Sequence, residues 1–264
     1  MCCGVEELKV SIITVCYNSG ETIRDAIESV IAQDYADIEY IVVDGGSTDN
    51  TLAIIEEYRT SISVLISEAD RGIYDAMNKG VARATGDVVG LLNSDDFYES
   101  RHAISTVVAA FNSAPAADVV FGDVVFVAAD DLTRVTRYYS SETFKPWKLR
   151  FGWMPPHTAT FVRNQVYKRF GGYSLKYKIS SDYEIFVRWL LVNKLNYSRI
   201  DKVLVRMRAG GASTAGIKSS IRLNKEIVRA CRENGIYTNI FMVLFKIPFK
   251  LLELLRKPKA SAQA

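Results

Sequence analysis

The chain is poor in the residues that many metal and nucleophile sites require. It holds two histidines, His102 and His157, and four cysteines at positions 2, 3, 16 and 231. Two histidines make a zinc cluster or a His-dependent triad improbable. The cysteines have neither zinc-ligand nor disulfide-framework spacing, which indicates a reducing compartment.

Glycine-rich phosphate-binding motifs are missing as well. No Gly-x-Gly-x-x-Gly follows the first predicted strand, and neither Gly-x-x-x-x-Gly-Lys-Ser/Thr nor Gly-x-Ser-x-Gly occurs anywhere. These absences count against a dinucleotide oxidoreductase, a P-loop hydrolase and an α/β-hydrolase. If the protein handles phosphate, we expect a metal ion rather than a glycine loop to neutralise it.

Long apolar runs are also absent. No segment offers the roughly 18 uninterrupted apolar residues of a transmembrane helix. Residues 1–9 lack the apolar core of a secretory signal, so we expect a cytoplasmic protein. The hydrophobic content of 48% and the charged content of 24% are those of a globular chain that buries a core. The 264 residues suffice for one large α/β domain with a small appendage.

The net charge of +3 conceals an uneven distribution. Residues 201–264 contain 13 Lys or Arg and four Asp or Glu, a balance of +9, whereas the first 200 residues carry 20 basic and 26 acidic groups, a balance of −6. A basic C-terminal region favours an anionic partner, which the charge alone leaves as membrane lipid, lipid phosphate or nucleic acid.

Short strands and helices alternate over the first 100 residues. The strands are predicted at residues 10–16, 40–44, 62–67 and 87–92, and the helices at 23–31, 51–58 and 72–84. This alternation predicts an α/β fold with a parallel sheet covered on both faces. Beyond residue 100 the pattern predicts helices at 104–111 and 182–192 and strands at 119–127 and 158–162.

Acidic residues follow three of the predicted strands. Asp44 ends the second strand, Glu68 and Asp70 follow the third, and Asp95 and Asp96 end the fourth. Since the carboxyl ends of parallel strands share one edge, we expect these acids to converge there, where such sheets bind ligands. Adjacent carboxylates suit a divalent cation that bridges to phosphate. The alternative is a set of helix and turn caps, which for Asp44 would suit the following Gly45-Gly46.

Two further side chains are candidates for chemistry. His157 follows Pro155-Pro156 at the start of a predicted strand, and it would contact a phosphate, the metal or the acceptor, or else be structural. Asp182 lies at a predicted helix start, where the dipole lowers its pKa. Such a carboxylate serves as a general base or merely complements the helix dipole.

Four motifs, in this order, resemble glycosyltransferase family 2. They are Ser11–Asn18 (SIITVCYN), Val42–Asp49 (VVDGGSTD), Asp70–Gly80 (DRGIYDAMNKG) and Leu92–Asp96 (LNSDD). The resemblance covers about residues 8–215. It implies the GT-A fold, with a mainly parallel central sheet between helices, and a nucleotide-diphosphate sugar as donor, UDP being favoured over GDP and dTDP.

The resemblance also implies roles for individual positions. Asp44 would hold the base or ribose, Asp75 would lie nearby, and the other residues of the nucleoside pocket would be Thr14, Tyr17, Asp70, Arg71 and Asn78. The run Asn93-Ser94-Asp95 takes the place of the family's Asp-x-Asp and would contact the nucleotide sugar. Asp95 would carry the Mn²⁺ or Mg²⁺ that bridges the diphosphate.

One position departs from the family pattern, because Asn93 stands where the first acid is expected. This substitution weakens the negative charge of the site, and Asp96 either compensates for it or only braces the loop. Asp182 falls where such enzymes place the general base. The run Arg208–Ser213, which includes Gly211, resembles a late Gly-Gly-x-Ser loop that would close over the site.

The activity implied is an inverting transfer of one sugar to a hydroxyl. The Gln-x-x-Arg-Trp motif and the membrane helices of processive members are missing, which favours a single transfer. The acceptor would be a glycan or a polyprenyl-diphosphate-linked glycan of bacterial cell-surface polysaccharide synthesis, and no nucleic-acid partner is expected. The rivals are a nucleotidyltransferase and a non-catalytic protein that binds nucleotide sugar or lipid.

The C-terminal region is expected to form a separate unit. Residues 1–215 would be the GT-A domain, with a donor half at about 8–100 and an acceptor half at about 101–215, and residues 216–264 would be a helical tail. The tail combines a basic stripe (Arg222, Lys225, Arg229, Arg232) with an apolar face that includes Phe241, Leu244 and Phe245. This pattern predicts a helix on the anionic inner face of the bacterial cytoplasmic membrane. The alternatives are packing on the chain's own domain and a dimer contact.

Overall fold

A computed structural model of the chain describes residues 7–209 and 217–246. Within these ranges nine strands form one mixed sheet, in the order β3-β2-β1-β4-β8-β6-β9-β5, with β7 paired to β6. The strands are β1 (Val10–Cys16), β2 (Ile38–Asp44), β3 (Val64–Ser67), β4 (Val88–Asn93), β5 (Asp96–Tyr98), β6 (Val119–Val127), β7 (Val135–Tyr139), β8 (Thr160–Arg163) and β9 (Tyr197–Arg208).

Helices cover both faces of this sheet. A π-helical turn, Val187–Val192, continues the sixth helix, and short 3-10 turns lie at Arg59–Ser61 and Pro146–Phe151. The α-helices are α1 (Ile23–Ile31), α2 (Thr51–Glu57), α3 (Ile73–Arg83), α4 (Ala103–Ser113), α5 (Asn164–Phe170), α6 (Ser181–Phe186), α7 (Ile217–Glu233) and α8 (Ile240–Leu244).

The parallel half of the sheet consists of β3, β2, β1 and β4. All seven residues of β1 are buried, and this strand pairs in parallel with β2 and β4. Successive side chains of a strand point to opposite faces, so Ile12 enters the core shared with α1 and α4, whereas Ile13 enters the core shared with α3. The predicted α/β architecture, with a mainly parallel sheet between helices, is confirmed.

The second half of the sheet mixes strand directions. β8 lies antiparallel between β4 and β6, and β9 lies between β6 and β5. Gly90 of β4 is opposite Phe161 of β8, and a Cβ at this glycine would lie 2.5 Å from the phenylalanine ring. The small residue therefore allows an aromatic ring to pack directly on the β4 backbone.

Sequence patterns predicted β1 and β6 with their observed bounds, but missed β5, β7 and β9. β9 carries five charged side chains, among them Asp201 and Lys202, and lacks the apolar alternation by which strands are recognised. It forms a strand because its backbone pairs with β6 on one side and β5 on the other. β5 has only three residues, and Asp96 begins it instead of ending β4.

The described part of the C-terminal region packs on the rest of the chain. Ile227, Ala230 and Cys231 of α7 are buried in the core that also contains α6, and Val243 of α8 is fully buried there. The four basic residues of the stripe (Arg222, Lys225, Arg229, Arg232) lie on the exposed side. Residues 219–246 thus pack on the chain's own domain. The rest of the predicted tail, residues 247–264, lies outside the described residues. Among the described helices, none has the length and apolar character needed to cross a bilayer.

Candidate active site

A cleft of about 1380 Å³ opens at the edge where β1, β2 and β4 end. Ligand sites of open α/β sheets lie at this edge because the strand ends and the loops after them converge there. The cleft brings together nine of the side chains that the sequence singled out, namely Tyr17, Asp70, Asn93, Ser94, Asp95, Asp96, His157, Asp182 and Arg208.

The loop between β4 and β5 presents its polar side chains to the cleft. Asn93 donates from Nδ2 to Oδ2 of Asp96 at 3.1 Å, while its own Oδ1 is buried and accepts no hydrogen bond from the described residues. The Ser94 hydroxyl lies 2.8 Å from that of Ser19, which joins this loop to the start of the first helix. Asn93 therefore braces Asp96 and leaves one oxygen in need of a partner.

The two carboxyl groups of this loop are held in a poorly solvated place. Burial raises the pKa of Asp95, and it raises that of Asp96 well above the ordinary value, with the neighbouring Asp95 adding to the effect. Arg208 donates from Nε to the backbone carbonyl of Asp95 at 3.1 Å and forms an ion pair with Asp25 of α1. Arg208 thus ties the loop to α1 and supplies the nearest positive charge.

The donor set of this loop fits a hard divalent cation. Asp95 and the unpartnered Oδ1 of Asn93 offer oxygen atoms, the ligands that Mg²⁺ and Mn²⁺ prefer. No group of three or more His, Cys, Asp or Glu that could hold a metal occurs among the residues described. A cation that is bound by one or two carboxylates together with substrate phosphates does not need such a cage.

The segments that follow β1, β2 and β3 also line the cleft. Tyr17 is 62% exposed, and Asp70 accepts a hydrogen bond at Oδ1 from the Gly72 amide at 2.7 Å. A Cβ at Gly45 would lie 2.4 Å from Oδ2 of Asp70, so the glycine makes room for this carboxylate above the turn. An exposed ring beside a carboxylate can stack on a base and accept hydrogen bonds from ribose hydroxyls.

Asp182 lies in the first turn of α6 and is partly exposed to the cleft. Its Oδ1 accepts hydrogen bonds from the Tyr74 hydroxyl at 3.1 Å and from the Tyr183 amide at 2.9 Å. Oδ2 has no donor among the described residues. Burial raises the pKa of Asp182 to about 6, although both hydrogen bonds favour its ionised form. The sequence prediction of a lowered pKa is therefore wrong, because desolvation outweighs the helix dipole.

Tyr74 was not recognised as a site residue from the sequence. It lies within the Asp70–Gly80 motif, which was the available signal, and its ring stacks on Tyr173 with the centroids 5.9 Å apart. The stacking fixes the ring, and the fixed hydroxyl in turn orients the Asp182 carboxylate.

His157 reaches the cleft but is held by aromatic neighbours. Its Nε2 shares a hydrogen bond with the Tyr173 hydroxyl at 2.8 Å, and its ring packs edge-on against Phe186. Burial lowers the pKa of His157 to about 4, so the ring is neutral at physiological pH. A neutral imidazole offers no positive charge to a phosphate. The roles that remain for His157 are contact with the acceptor, contact with the metal and a structural role.

Two predicted nucleoside-pocket residues are buried away from the cleft lining. Thr14 is fully buried and accepts a hydrogen bond from the Tyr40 hydroxyl at 3.1 Å. Asp44 is also fully buried, and its carboxylate accepts hydrogen bonds from the backbone amides of Gly46 and Ser47 and from the Ser67 hydroxyl. These contacts are those of a turn cap, which was the alternative interpretation of Asp44.

Three other predicted residues support α3 instead of lining the cleft. Arg71 and Asp75 form an ion pair of 2.9 Å across the first turn of this helix. The Asn78 side chain donates to the backbone carbonyl of Tyr173 and accepts from its amide, each at 2.8 Å. Asn78 therefore holds the segment that carries Tyr173 under His157. Gly211 lies outside the described residues.

Comparisons with known proteins identify the family of the chain. The family model described as "Glycosyl transferase family 2" matches residues 11–171. A PGL/p-HBAD biosynthesis glycosyltransferase of Mycobacterium bovis is 30% identical over 181 residues, which are 67% of this chain and 68% of that protein.

Two solved structures share the fold. TarS 1–349 of S. aureus, in complex with UDP-GlcNAc, aligns with a TM-score of 0.66 at 20% identity over 84% of this chain and 66% of that one, so the chain spans slightly less than two thirds of the fragment. The mannosyltransferase PcManGT of Pyrobaculum calidifontis, in complex with GDP-Man and Mn²⁺, aligns with a TM-score of 0.63 at 16% identity over 94% of this chain and 73% of that one. The GT-A fold is thereby confirmed, and the matches to the family model and to the mycobacterial relative show that the chain belongs to glycosyltransferase family 2.

Proposed function

We propose that this glycosyltransferase transfers one sugar, with inversion, from a UDP-sugar to a hydroxyl of a glycan or polyprenyl-diphosphate-linked acceptor. The observation that carries the proposal is the presence, in one cleft, of the Asn93–Asp96 loop and of the isolated carboxylate of Asp182. A single displacement requires a stabilised leaving group and a base, and it needs no nucleophile from the enzyme. The UDP-GlcNAc bound to TarS supports UDP as the donor nucleotide.

On the donor side, Tyr17 and Asp70 bind the nucleoside, and Asn93, Ser94 and Asp95 contact the diphosphate sugar. Asp95 and Asn93 would hold Mn²⁺ or Mg²⁺, and the bound cation supplies neutralisation of the leaving diphosphate. Arg208 and Asp96 keep the loop in place. In this proposal the five residues off the cleft lining shape the walls without touching the donor, and they are Thr14, Asp44, Arg71, Asp75 and Asn78.

On the acceptor side, Asp182 removes the proton of the attacking hydroxyl. Tyr74 engages Oδ1, so Oδ2 is the oxygen that remains for the acceptor. A carboxylate with a pKa near 6 is a stronger base than an ordinary aspartate and is still ionised at pH 7. Burial therefore suits Asp182 to this task.

Replacing Asp182 by Asn tests the base directly. The loss of a general base lowers kcat by about 10²–10⁴-fold, while UDP affinity is unchanged because the donor wall is intact. The measurements are UDP release in the presence of acceptor and calorimetric titration of UDP. Asp130→Asn, which alters an exposed carboxylate outside the cleft lining, is the control. Unchanged turnover in Asp182→Asn would remove the base assignment, and release of pyrophosphate instead of UDP would identify a nucleotidyltransferase.

The pH dependence of kcat provides a second test. Asp182 acts as a base only when ionised, so activity is present above its pKa and falls as the pH drops through about 6. Tyr74→Phe removes a hydrogen bond that stabilises the ionised form, and it moves this acidic limb upward by about one pH unit. The measurement is the pH profile of kcat for the parent and for Tyr74→Phe, with Tyr58→Phe as the control. An acidic limb that stays in place in Tyr74→Phe contradicts a positioning role for Tyr74.

Metal dependence is tested by binding alone. UDP, GDP and dTDP are titrated by calorimetry, each with and without Mn²⁺, on the parent and on Asp95→Asn. We expect Mn²⁺ to strengthen UDP binding, and we expect the variant to lose at least about tenfold of that affinity, since even outer-sphere partners of metal ligands contribute this much. Equal Mn²⁺ dependence in both proteins would show that Asp95 holds no metal.

A membrane face is the second part of the proposed function. Trp147 is 55% exposed, Tyr237 72%, Phe241 80% and Phe245 60%. The Phe151 ring lies 5.8 Å from that of Trp147 and 6.4 Å from that of Phe245, which joins the 3-10 turn to α8. These five residues form what we call the aromatic face. Leu149 of the same turn is fully buried, so the turn is anchored without Trp147.

The charges around the aromatic face indicate which partner it binds. The segments 145–151 and 237–246, which build it, contain no Asp or Glu; their basic residues at the surface are Lys145, Lys148 and Arg150, whereas Lys246 is buried. If a second copy docked on this face by a twofold axis, the basic residues of one copy would face those of the other. Residues 247–264 hold four basic residues and one acidic residue, so they too would bring like charges to the face. Aromatic rings flanked by cations suit an anionic lipid interface. We therefore propose that this face binds such a membrane.

Vesicle sedimentation tests the membrane face. The full chain should bind phosphatidylglycerol-containing vesicles and not pure phosphatidylcholine vesicles. Lys145→Gln/Arg150→Gln should weaken binding about thirtyfold, since each cation near an anionic surface contributes about 1 kcal/mol. Trp147→Ala/Phe241→Ala should abolish binding without changing UDP affinity, and Lys168→Gln/Arg169→Gln and Ile31→Ala/Val192→Ala are the controls. The assignment is overturned if both face variants bind vesicles as tightly as the parent. It is also overturned if the parent binds no vesicles but self-associates, and the face variants lose that self-association.

A further inference from the structure

Arg137 is a cation on the wall of the cleft that the described residues leave without a polar partner. It lies on β7 and lines the cleft, yet its guanidinium group forms no ion pair or hydrogen bond with any residue of the ranges 7–209 and 217–246. Its Nε is buried and unsatisfied, which in a folded protein costs about 1–3 kcal/mol unless a ligand completes the bond. Arg137 as a whole is only partly buried, so its guanidinium group is available to bind an anion in the cleft.

Aromatic rings hold the guanidinium group of Arg137 in place. Its Cζ lies 4.8 Å from the ring centroid of Phe126, the residue directly opposite it on β6, and 5.6 Å from that of Tyr139. Contact with ring faces restricts the side chain and limits its hydration. A planar, weakly hydrated guanidinium that is already oriented is well suited to bind two phosphate oxygens at once.

The sheet register places Arg137 relative to the donor loop. Asp96 of β5 pairs with Met207 of β9, Met207 pairs with Phe126 of β6, and Phe126 pairs with Arg137 of β7. All four residues of this row line the cleft. Neighbouring strands lie about 4.8 Å apart, so three steps put the Cα of Arg137 about 14 Å from that of Asp96. Two apolar side chains separate the arginine from the loop proposed to hold the donor diphosphate.

We propose that Arg137 binds a phosphate group of the acceptor. This inference rests on the proposed function and selects, of its two acceptor classes, the polyprenyl-diphosphate-linked one. The donor diphosphate is the other source of the same chemistry, but the row from Asp96 to Arg137 puts three strand spacings between the arginine and the donor loop. Arg137 thus distinguishes acceptors that bear a phosphate from neutral glycans.

Binding of inorganic pyrophosphate, measured by calorimetry in EDTA, tests the site without turnover. Chelation removes the metal on which the donor pocket is proposed to depend, so the anion reports on fixed cations. Arg137→Gln should weaken pyrophosphate binding by about 10–100-fold, the effect of losing hydrogen bonds to a charged group. Arg137→Lys, which keeps the charge but loses the planar fork, should fall between Arg137→Gln and the parent. Arg134→Gln, which alters an exposed arginine on the same connection outside the cleft lining, should bind as the parent does.

A second titration distinguishes the two sources of phosphate. With Mn²⁺ present, Arg137→Gln should bind UDP as tightly as the parent. If UDP binding weakens while pyrophosphate binding does not, the phosphate is the donor's and the acceptor assignment is overturned. Equal pyrophosphate binding by parent and Arg137→Gln, with only a lower melting temperature in the variant, would show that the arginine merely packs on Phe126. Because no turnover is needed, the phosphate site can stand even if the base or the donor assignment fails.

Discussion

The burial of both faces of β1, β2 and β4 is the constraint on which the remaining structure depends. Strands covered on both sides carry few polar side chains within their length, and those few are hydrogen-bonded, as Thr14 is to Tyr40, so most polar residues of this region lie where the strands end. The parallel direction of the strands brings those ends to one edge of the sheet. The cleft, its acids and the turns that support them follow from this arrangement.

Desolvation then decides what the acids of the cleft can do. The same burial that stabilises the core raises the pKa of Asp182 to about 6 and raises those of Asp95 and Asp96 as well. The surroundings separate their roles, because Asp182 has hydrogen-bond donors at one oxygen only, whereas Asp96 is braced by Asn93. One physical effect thus produces a proton acceptor on one wall and a loop suited to a cation on another.

Positive charge enters the cleft mainly from the second half of the sheet. Arg208 ends β9 and is committed to Asp25 and to the Asp95 carbonyl, whereas Arg137 on β7 is stacked on rings and lacks a polar partner among the described residues. The acidic loops follow strands of the parallel half. In the proposed function the parallel half would therefore serve the donor, and the mixed half would serve the acceptor.

The C-terminal helices contain basic and apolar residues that suit either packing on the chain's own domain or binding to a membrane. The basic stripe and the aromatic residues were both visible in the sequence, but their neighbours were not. Folding buries Cys231 and Val243 and brings the exposed Phe245 into one ring cluster with Trp147, which is almost 100 residues away in the chain. A helix packed on its own domain therefore still presents a surface that suits a lipid interface.

The α/β architecture, the family, and the loops that carry Asp95 and Asp182 could all be predicted from the amino-acid sequence. These features are local, because apolar runs, glycine turns and acids at strand ends depend on neighbours within a few residues. Contacts across the fold were needed to see that Asp44 caps a turn, that Asn78 holds the Tyr173 segment, and that Tyr74 orients Asp182. The same holds for β7, β9 and Arg137, whose places are set by backbone pairing with β6. Such contacts join residues far apart in the chain, and burial, which sets the pKa values of the cleft, exists only once those contacts have formed.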